Sequence, residues 1–573
     1  MTNKILKLLG IMMISSLVWS SFAFASETKT SYPIAPGMTY KQINTFETGT
    51  LTQNQAINML EMDLTNAFTS VGLSTPKTLT SIEKTTSHAL RQENKDRWVM
   101  GAINGGFFFN NQPMNLLSVN NRLVHMGEVF DDRDKYVNQP LAFGVSQSGQ
   151  AVIDAYDVSM TYTYRGQTYP IELTNQKKYD NLTTLYTSDY SKPALDTHYT
   201  TDIVVQTTNK PTLEFGQSIE GTIIDVKPTL EDRHVSIPPN GFVISASGSA
   251  RDRLKSAEVG DQITLSVDIN DAFKQSQFII ASGPLLVKDN KVSLSMNQNS
   301  LNARIRAPRT AVAIDEAGTQ VQFITVDGRQ SGYSRGMTLL EFSQFLKDQG
   351  VDRAINLDGG GSTTFAMRRP GDNLLNIINR PSDGRERAVS SALLAFSTAP
   401  PASFQDVLYG HWSFHDVNSL VNREIVSGYP DKTFRPDEKI ERGHSTIMLS
   451  KHLGLPLAPT VNPGFTDVKE QDKNYAYISA VANAGIILGK GDKTFDQYAP
   501  LTRAELAIIL KKAYGVEEGE DIYFSDVPKT HWAFKAISGL YEANLTSGYS
   551  DGTFRPNQPV TRAEFAAFVN RFN

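Results

Sequence analysis

A sequence pattern that recurs three times in the last third of the chain constrains its fold more than any other feature. The motif Phe-x-Asp-Val begins at Phe404, Phe465 and Phe524. Repeats of about sixty residues are supersecondary units that bury their apolar faces against their neighbours. The predicted units are residues 404–464, 465–523 and 524–573.

Short polar motifs predict that each repeat contains helices. Thr502 and Glu505 have the spacing of a capping box, in which two side chains satisfy the first free N–H groups of a helix. Arg503 and Arg562 therefore lie at predicted helix N-termini, whose partial positive charge favours anions. The first repeat has Glu-Arg-Gly-His at residues 441–444 instead, and the second has Tyr475 near the tryptophan position, with two extra residues before it. We therefore expect one or two of the three grooves between repeats to be impaired.

The chain of 573 residues is too long for one hydrophobic core, so the part before the repeats should form at least one further domain. Residues 1–25 combine two lysines with an apolar run and the sequence Ala-Phe-Ala, which predicts a secretory signal peptide. No later stretch has the roughly twenty apolar residues of a transmembrane anchor. The sequence has no cysteine, which excludes disulfides and, in an exported chain, favours a Gram-positive surface. A net charge of -5 gives no basic surplus for binding nucleic acid.

The stretch that most strongly suggests chemistry is residues 354–364, where an apolar run ends in a carboxylate and three glycines. The run has the pattern of a buried strand end, so Asp358 is expected at the mouth of a strand. Consecutive glycines allow positive φ, and their N–H groups can converge with the hydroxyls of Ser362 and Thr363 on a ligand. A structural turn in which the aspartate bonds its own backbone is the alternative.

A second carboxylate, Asp327, ends another apolar strand. A capping box at residues 338–341 starts a helix that feeds the strand before Asp358. If both strands run in the same direction, the two carboxylates leave the sheet at one edge, as general acid and base chemistry at a glycosidic bond requires. Asn104 also ends a strand and is followed by two glycines, although Asn-Gly is equally typical of a hairpin turn.

Two arginines are candidates for binding phosphate oxygens. Arg309 begins an apolar strand and Arg387 follows the glycines, and the planar guanidinium group matches phosphate in shape and charge. A phosphate leaving group departs as a fairly stable anion, so electrostatic anchoring matters more than proton donation. A solvent-exposed role is the commoner one for a residue such as Arg309.

The order and spacing of these motifs from about residue 97 to residue 396 resemble the phosphodiester glycosidase family. The motifs include Asn-Gly-Gly-Phe-Phe at 104–108, Val-Asp-Gly-Arg at 326–329 and Arg-Ala-Val-Ser at 387–390. The resemblance implies hydrolysis of the sugar C1–O bond in a sugar-1-phosphodiester. A phosphodiesterase that cleaves P–O and a non-catalytic glycan-binding or S-layer protein are the alternatives.

The resemblance also implies roles for individual residues. Asp358 and Asp327 are the expected catalytic carboxylates. The expected substrate-binding residues are Asn104, Gly105, Gly106, Arg309, Gly359, Gly360, Ser362, Thr363 and Arg387. A metal is not demanded, although calcium coordination by loop carboxylates is left open.

The three repeats resemble S-layer homology modules, which implies that they hold an anionic secondary cell-wall polysaccharide in the grooves between them. The expected glycan-binding residues are Trp412, Arg442, Arg503, Trp532 and Arg562. Aromatic rings offer sugars a face to stack on, but we also expect both tryptophans to lie at least partly in the core. The chain is therefore expected to be secreted and held at the cell wall.

The predicted architecture is an α+β catalytic domain of mixed β-sheets and helices, followed by an all-α domain of three repeats. Before the repeats, the predicted segments are the signal peptide (1–25), a leader (26–95), the catalytic domain (96–397) and a linker (398–403).

Overall fold

The computed structural model describes residues 24–47, 54–176, 180–190, 194–195, 200–228, 234–458, 461–521 and 523–572. The predicted signal peptide lies outside these residues except for its last two positions. No helix within the described ranges is long and apolar enough to cross a membrane.

Strands are the main regular structure of the described residues before the repeats. The first twelve are β1 (Phe24–Ala35), β2 (Met38–Glu47), β3 (Gln55–Asp63), β4 (Thr69–Ser74), β5 (Glu83–Lys84), β6 (Trp98–Asn104), β7 (Phe108–Phe109), β8 (Gln112–Pro113), β9 (Leu117–Val119), β10 (Arg122–His125), β11 (Leu141–Ser146) and β12 (Ala151–Ala155). The next ten are β13 (Val158–Tyr164), β14 (Gln167–Pro170), β15 (Leu173–Thr174), β16 (Thr183–Thr187), β17 (Ala194–Leu195), β18 (Thr200–Gln206), β19 (Gln217–Pro228), β20 (His234–Val235), β21 (Gly241–Ser247) and β22 (Gln262–Ile269). The last ten are β23 (Ser276–Ala281), β24 (Leu285–Lys288), β25 (Lys291–Val292), β26 (Arg309–Ile314), β27 (Gln320–Val326), β28 (Arg353–Asn356), β29 (Phe365–Met367), β30 (Asn376–Ile377), β31 (Ala388–Val389) and β32 (Ala392–Ser397).

The helices are few before the repeats and regular within them. They are α1 (Thr85–Gln92), α2 (Leu301–Arg304), α3 (Leu339–Asp348), α4 (Phe414–Asn422), α5 (Arg442–His452), α6 (Tyr475–Asn483), α7 (Arg503–Tyr514), α8 (Phe534–Glu542) and α9 (Arg562–Asn570). Short 3-10 helices cover Gly248–Leu254, Asp271–Phe273 and Gly360–Ser362.

An eight-stranded sheet with the order β1-β2-β3-β27-β26-β28-β24-β25, here called the site sheet, carries both predicted carboxylates. Its neighbouring strands are all antiparallel. Because β26 runs opposite to both β27 and β28, those two strands share a direction without touching. Asp327 and Asp358 therefore leave the same edge, as predicted, with Arg309 at the start of β26 between them.

Apolar residues cover both faces of the site sheet. One face packs on two five-stranded sheets, β10-β9-β23-β11-β12 and β30-β29-β6-β32-β4, through a core that includes Val312, Phe323 and Ile355. The other face is covered by α3, whose Phe342 and Leu346 are fully buried. The predicted capping box starts this helix, since Thr338 and Glu341 exchange hydrogen bonds of 2.9 and 3.2 Å. The helix thus fixes the strand that leads to Asp358.

The predicted leader is continuous with the site sheet. Strands β1, β2 and β3 form its first three positions, and Ile57 of β3 lies opposite Val326 of β27. The boundary predicted at residue 96 therefore does not coincide with a break in the sheet. Residues 158–269 contribute a separate eight-stranded sheet with the order β14-β13-β22-β19-β18-β21-β16-β15.

The three repeats form a closed ring around one shared core. Ile440 N donates to Val560 O at 2.9 Å, Val560 N to Leu501 O at 2.8 Å, and Leu501 N to Ile440 O at 2.9 Å. Each repeat thereby bonds both others near a pseudo-threefold axis. The described part of the repeats contains two helices per unit together with turns and isolated β-bridges.

Candidate functional site

The loop after β28, residues 358–363, is here called the glycine turn. Asp358 N donates to Gly105 O at 3.1 Å, and Gly360 N donates to Pro308 O at 3.0 Å, so the turn is bonded to two other strand ends. Gly360 has a φ of +60°, where side chains are strained. A Cβ at Gly361 would overlap the guanidinium group of Arg387 and the carboxylate of Asp383, so a larger residue here would displace both side chains.

The Asp358 carboxylate is half-buried and hydrogen-bonded by the Ser362 hydroxyl. Burial raises its pKa to about 6, while the hydrogen bond from Ser362 and the charge of Arg387 partly oppose that rise. A carboxylate that titrates near neutrality can serve as a base or nucleophile at physiological pH.

Two guanidinium groups border the glycine turn. Arg387 Nη1 donates to Ser362 Oγ at 3.4 Å, and its Nε and Nη2 donate to Asp383 Oδ2 at 3.0 and 2.6 Å. Arg329 is exposed, and its guanidinium nitrogens lie 3.3 Å from the Cβ position of Gly360. It makes no ion pair with a described residue. Together the two cations can receive an oxyanion beside Asp358.

Arg329 was not among the predicted site residues. Its signal was its place in the Val-Asp-Gly-Arg motif, directly after the predicted strand mouth at Asp327. Its backbone has a φ of +60°, which turns the chain away from β27 toward the glycine turn.

Asp327 lies behind the glycine turn rather than in front of it. Its side chain is fully buried and accepts three hydrogen bonds, from Tyr333 Oη at 3.0 Å, Asn379 Nδ2 at 2.9 Å and Arg380 N at 2.9 Å. Asn379 Nδ2 also donates to Thr363 O at 3.1 Å. Burial raises the pKa of Asp327 and these donors oppose that rise. This geometry does not fit the predicted second catalytic carboxylate and makes Asp327 a positioning residue.

Asn104 is also turned into the protein. Its Oδ1 accepts from Thr310 Oγ1 at 2.9 Å and from Thr364 N at 3.1 Å, and its Nδ2 donates to Asp358 O at 2.6 Å. The amide is saturated and buried, so it cannot contact a substrate as predicted. It fixes the backbone of Asp358 instead.

Arg309 is buried as well, which contradicts both the predicted phosphate contact and the alternative of a surface arginine. Its Nε donates to Met337 O at 2.9 Å and its Nη2 to Ile305 O at 2.7 Å. Burial lowers the pKa of this guanidinium. Arg309 therefore ties two loops together at the edge of the site sheet.

The remaining predicted residues of the site are backbone or hydroxyl elements of the same edge. Gly105 is buried against Ser391, and a Cβ at Gly106 would lie 3.2 Å from Ala281 O. A Cβ at Gly359 would lie 2.8 Å from Pro308 O, so the turn packs tightly on the start of β26. The Thr363 hydroxyl bonds Thr310 Oγ1 at 3.3 Å, inside the protein.

The three predicted arginines of the repeats begin helices α5, α7 and α9, and each is buried. The Nε of Arg442, Arg503 and Arg562 donates to a phenylalanine carbonyl of the next repeat in the ring, at 3.0, 2.7 and 2.8 Å. The tryptophans are not core residues, since Trp412 is 57% exposed and Trp532 is 63% exposed.

No group of three or more potential metal ligands among His, Asp and Glu occurs within the described part of the chain.

Two families match parts of the chain. Residues 217–396 match the family model of phosphodiester glycosidase, and residues 408–444, 464–507 and 523–566 match the S-layer homology domain. Both resemblances found in the sequence are thereby confirmed. The first match contains the whole glycine turn with Arg329 and Arg387.

Curated relatives share about a third of the chain. S-layer protein EA1 of Bacillus anthracis is 32% identical over 188 residues, which is 32% of this chain and 22% of that protein. An uncharacterized cell wall amidase of the same organism is 35% identical over 179 residues, 30% of this chain and 33% of that protein. A cellulosome-anchoring protein of Acetivibrio thermocellus is 32% identical over 156 residues, which is 26% of this chain and 35% of that protein. The chain thus aligns with about a third or less of each relative's length, and the S-layer homology domains place it at the cell surface.

Solved structures share the fold at low sequence identity. A hypothetical protein from Synechocystis superposes with a TM-score of 0.51 at 19% identity, over 66% of this chain and 68% of that one. A putative exported protein from Burkholderia pseudomallei superposes with a TM-score of 0.50 at 17% identity, over 65% of this chain and 96% of that one. The third structure is the catalytic domain of zebrafish N-acetylglucosamine-1-phosphodiester alpha-N-acetylglucosaminidase. It superposes with a TM-score of 0.33 at 16% identity, over 65% of this chain and 87% of that one, and this TM-score is too low for a structural inference.

Proposed function

We propose that this chain, which carries a phosphodiester glycosidase domain and three S-layer homology domains, is a cell-surface hydrolase that cleaves the sugar C1–O bond of a sugar-1-phosphodiester. An N-acetylglucosamine-1-phosphodiester in a wall polymer, capsule or glycolipid is the proposed type of substrate. The proposal rests chiefly on the glycine turn, where Asp358, with a pKa of about 6, lies beside the guanidinium groups of Arg329 and Arg387.

One carboxylate at the attacking position suits this reaction, and the exposed Asp383 at the same turn is paired with Arg387. Attack at C1 breaks the C1–O bond, and its electron pair leaves on the phosphate oxygen as a phosphomonoester. That leaving group is a stable anion, so no second carboxylic acid has to protonate it, unlike the alcohol of an ordinary glycoside. The saturated state of Asp327 is therefore compatible with the proposed chemistry.

Asp358 acts on the sugar side of the bond. Above its pKa of about 6 the carboxylate either takes the proton from the attacking water or attacks C1 itself. In the second case a water molecule then hydrolyses the resulting glycosyl ester, which releases the sugar and restores the carboxylate. Ser362 orients the carboxylate, and Asn104 holds its backbone through the 2.6 Å bond to Asp358 O. Arg329 and Arg387 stabilise the negative charge that develops on the phosphate.

The repeats supply the second part of the proposal, which is attachment to an anionic secondary cell-wall polysaccharide. The exposed rings of Trp412 and Trp532 support it because they can stack on sugars. The arginines at the starts of α5, α7 and α9 add positive charge at helix N-termini. The enzyme would then work on polymers close to its anchor.

The full chain with a panel of sugar-1-phosphodiesters tests the enzymatic proposal. We expect release of free sugar and phosphomonoester, abolished by Asp358→Asn. Asp348→Asn makes the same chemical change on the exposed side of α3 and should leave the rate unchanged. Turnover that survives Asp358→Asn would contradict the assigned site, and glycan binding without turnover on any substrate would favour the non-catalytic alternative.

A further inference from the structure

Three loops at the edge of the site sheet where β27 and β28 end are rich in arginine. They cover residues 302–309, 328–336 and 378–387 and are here called the arginine rim. The rim contains eight arginines, no lysine and two acidic residues, in a chain with 60 acidic and 55 basic residues. The positive charge of this edge is therefore local and does not reflect the composition of the whole chain.

Hydrogen bonds join the three loops of the rim to one another and to the glycine turn. Arg306 Nη1 donates to Gly336 O at 3.4 Å, which connects the first loop to the second. Gln330 Nε2 donates to Arg380 O at 2.8 Å, which connects the second loop to the third. The third loop reaches the glycine turn through Arg387. The rim is therefore one connected surface beside the candidate active site.

The two acidic residues of the rim are both bonded within the protein. Asp383 pairs with Arg387 at 2.6 Å. Glu386 is buried, and its carboxylate accepts from the N and Oγ1 atoms of Thr86, each at 2.8 Å. Neither carboxylate therefore forms an ion pair with the other arginines of the rim.

Four exposed arginines of the rim make no ion pair with a described residue. They are Arg304, Arg329, Arg335 and Arg385. Arg329 N donates to Arg335 O at 3.2 Å, so these two residues face each other across the base of the second loop. Of the four, the proposed hydrolysis uses Arg329 alone. Three exposed cations on the same surface thus exceed what one phosphate requires.

The opposite edge of the site sheet has the opposite charge. The turn between β26 and β27 contains Asp315 and Glu316, and Asp352 lies directly before β28. A cavity of about 550 Å³ at this edge is lined by five carboxylates and one arginine. A charge distribution of this kind attracts a polyanion to the rim and repels it from the other edge.

We propose that the arginine rim binds a chain of repeated phosphodiesters, so that the substrate is a linear glycosyl phosphate polymer and not a glycolipid with one phosphate. The inference rests on the proposed hydrolysis and names its substrate class. The reacting phosphate contacts Arg329 and Arg387. Neighbouring phosphates of the same chain contact Arg304, Arg335 and Arg385. Each further contact raises the affinity because the polymer is already held at the site.

Two phosphodiesters without a sugar measure binding separately from turnover, since neither has a C1–O bond to hydrolyse. Isothermal titration of the full chain compares a poly(glycerol phosphate) of about ten units with glycerophosphoglycerol, and the polymer should bind at least about tenfold more tightly per phosphate. A rim variant with Arg304→Gln, Arg335→Gln and Arg385→Gln should lose this preference. Lysine at the same three positions should retain it, because the charge remains. Affinity for the polymer should also fall more steeply with salt in the wild type than in the rim variant.

A control variant removes the same charge far from the rim. Lys288 and Lys291 lie in the hairpin of β24 and β25 at the opposite edge, and Lys347 lies in the last turn of α3. Changing these three lysines to glutamine should leave the preference for the polymer unchanged. The repeats are identical in all the variants, so anion binding by them cancels from the comparison. Equal losses in the rim and control variants, or no preference for the polymer in the wild type, would overturn the assignment.

Turnover separates this inference from the proposed hydrolysis. A polymer of N-acetylglucosamine 1-phosphate repeats is compared with a methyl phosphodiester of the same sugar phosphate. The ratio of kcat/KM per linkage between the two should fall at least about tenfold in the rim variant. Hydrolysis of both substrates with an unchanged ratio would overturn the rim assignment and leave the hydrolysis standing. Polymer binding at the rim without hydrolysis of either substrate would contradict the proposed reaction and leave the rim as a polyanion-binding surface.

Discussion

The ends of β27 and β28 present two aspartates at one edge of one sheet, yet the structure gives them opposite surroundings. Asp327 is fully buried and accepts bonds from three protein donors, whereas Asp358 is half-buried and accepts from two, the Ser362 hydroxyl and the Gly359 N–H. Position on the sheet therefore locates a carboxylate without defining its role. The number of protein donors decides whether its oxygens remain available to a substrate.

The two aspartates should differ most in how much kcat falls when each is replaced by asparagine. Asp358→Asn should lower kcat by about 10³-fold, since it removes the group acting on C1. Asp327→Asn should retain more activity, because the Asp327 side chain affects the glycine turn only indirectly, through Asn379 and Thr363. Steady-state kinetics on a sugar-1-phosphodiester measure both. A larger loss in Asp327→Asn than in Asp358→Asn would reverse the assignment.

A methyl group in the glycine turn tests the arginine that accompanies Asp358. Gly361→Ala should lower kcat/KM by about 10²-fold, because the new Cβ displaces the Arg387 guanidinium and misplaces the phosphate. Gly491→Ala is the matched control, since a Cβ there has no neighbour within 4 Å. Unchanged kinetics in Gly361→Ala would show that Arg387 does not hold the substrate.

For the free energy of unfolding, we expect the larger loss from replacing Asp327. Asp327→Asn replaces one acceptor oxygen by an NH2 group that faces the buried donors and leaves at least one of them, Tyr333 or the Arg380 N–H, without an acceptor, so unfolding should become about 1–3 kcal/mol easier. Chemical denaturation measures the change, with exposed Asp348→Asn as the reference. A change below that of the reference would mean that the buried bonds contribute nothing net.

For Asp358 the sign of the stability change depends on pH. Burial raises its folded pKa to about 6 from an ordinary value of 3.8, so ionisation destabilises the folded state. This destabilisation is absent below about pH 4 and complete above about pH 6. Asp358→Asn should therefore raise Tm relative to wild type at pH 7 and not at pH 4, as measured by calorimetry. A lower Tm of the variant at pH 7 would contradict the raised pKa.

The smallest expected effect is a shift in the pH profile. kcat/KM should rise with pH through a midpoint near 6 as Asp358 loses its proton. Arg387→Gln removes a positive charge that lowers this pKa, so the midpoint should move upward. A midpoint that stays in place would assign the titration to another group.

Local patterns predicted the frame of the site. Apolar runs gave the strand ends at Asp327 and Asp358, and residue spacing gave the capping boxes at Thr338 and Thr502, which the structure confirms. The three glycines correctly indicated a turn that approaches other groups closely, since Gly361 accommodates a guanidinium. These features depend on neighbours within a few residues of the chain.

These local patterns could not predict hydrogen-bond partners that are far apart in the sequence. Asn104 is saturated by Thr364, 260 residues away, and Asp327 by Asn379, 52 residues away. Arg309 cannot bind phosphate as expected, because its guanidinium group donates to backbone carbonyls of two loops. Sequence spacing shows that a polar side chain reaches a sheet edge, but not whether another segment has already bonded it.

The most direct test of the proposed hydrolysis follows the oxygen of water into the products. The full chain is incubated with an N-acetylglucosamine-1-phosphodiester in oxygen-18 water, and the phosphomonoester is examined by phosphorus NMR for the isotope shift. Phosphate oxygens do not exchange readily, so the phosphomonoester is a more reliable reporter than the free sugar. We predict an unlabelled phosphomonoester, produced by C1–O cleavage and lost in Asp358→Asn, whereas label in the phosphate would establish P–O cleavage and contradict the proposed reaction.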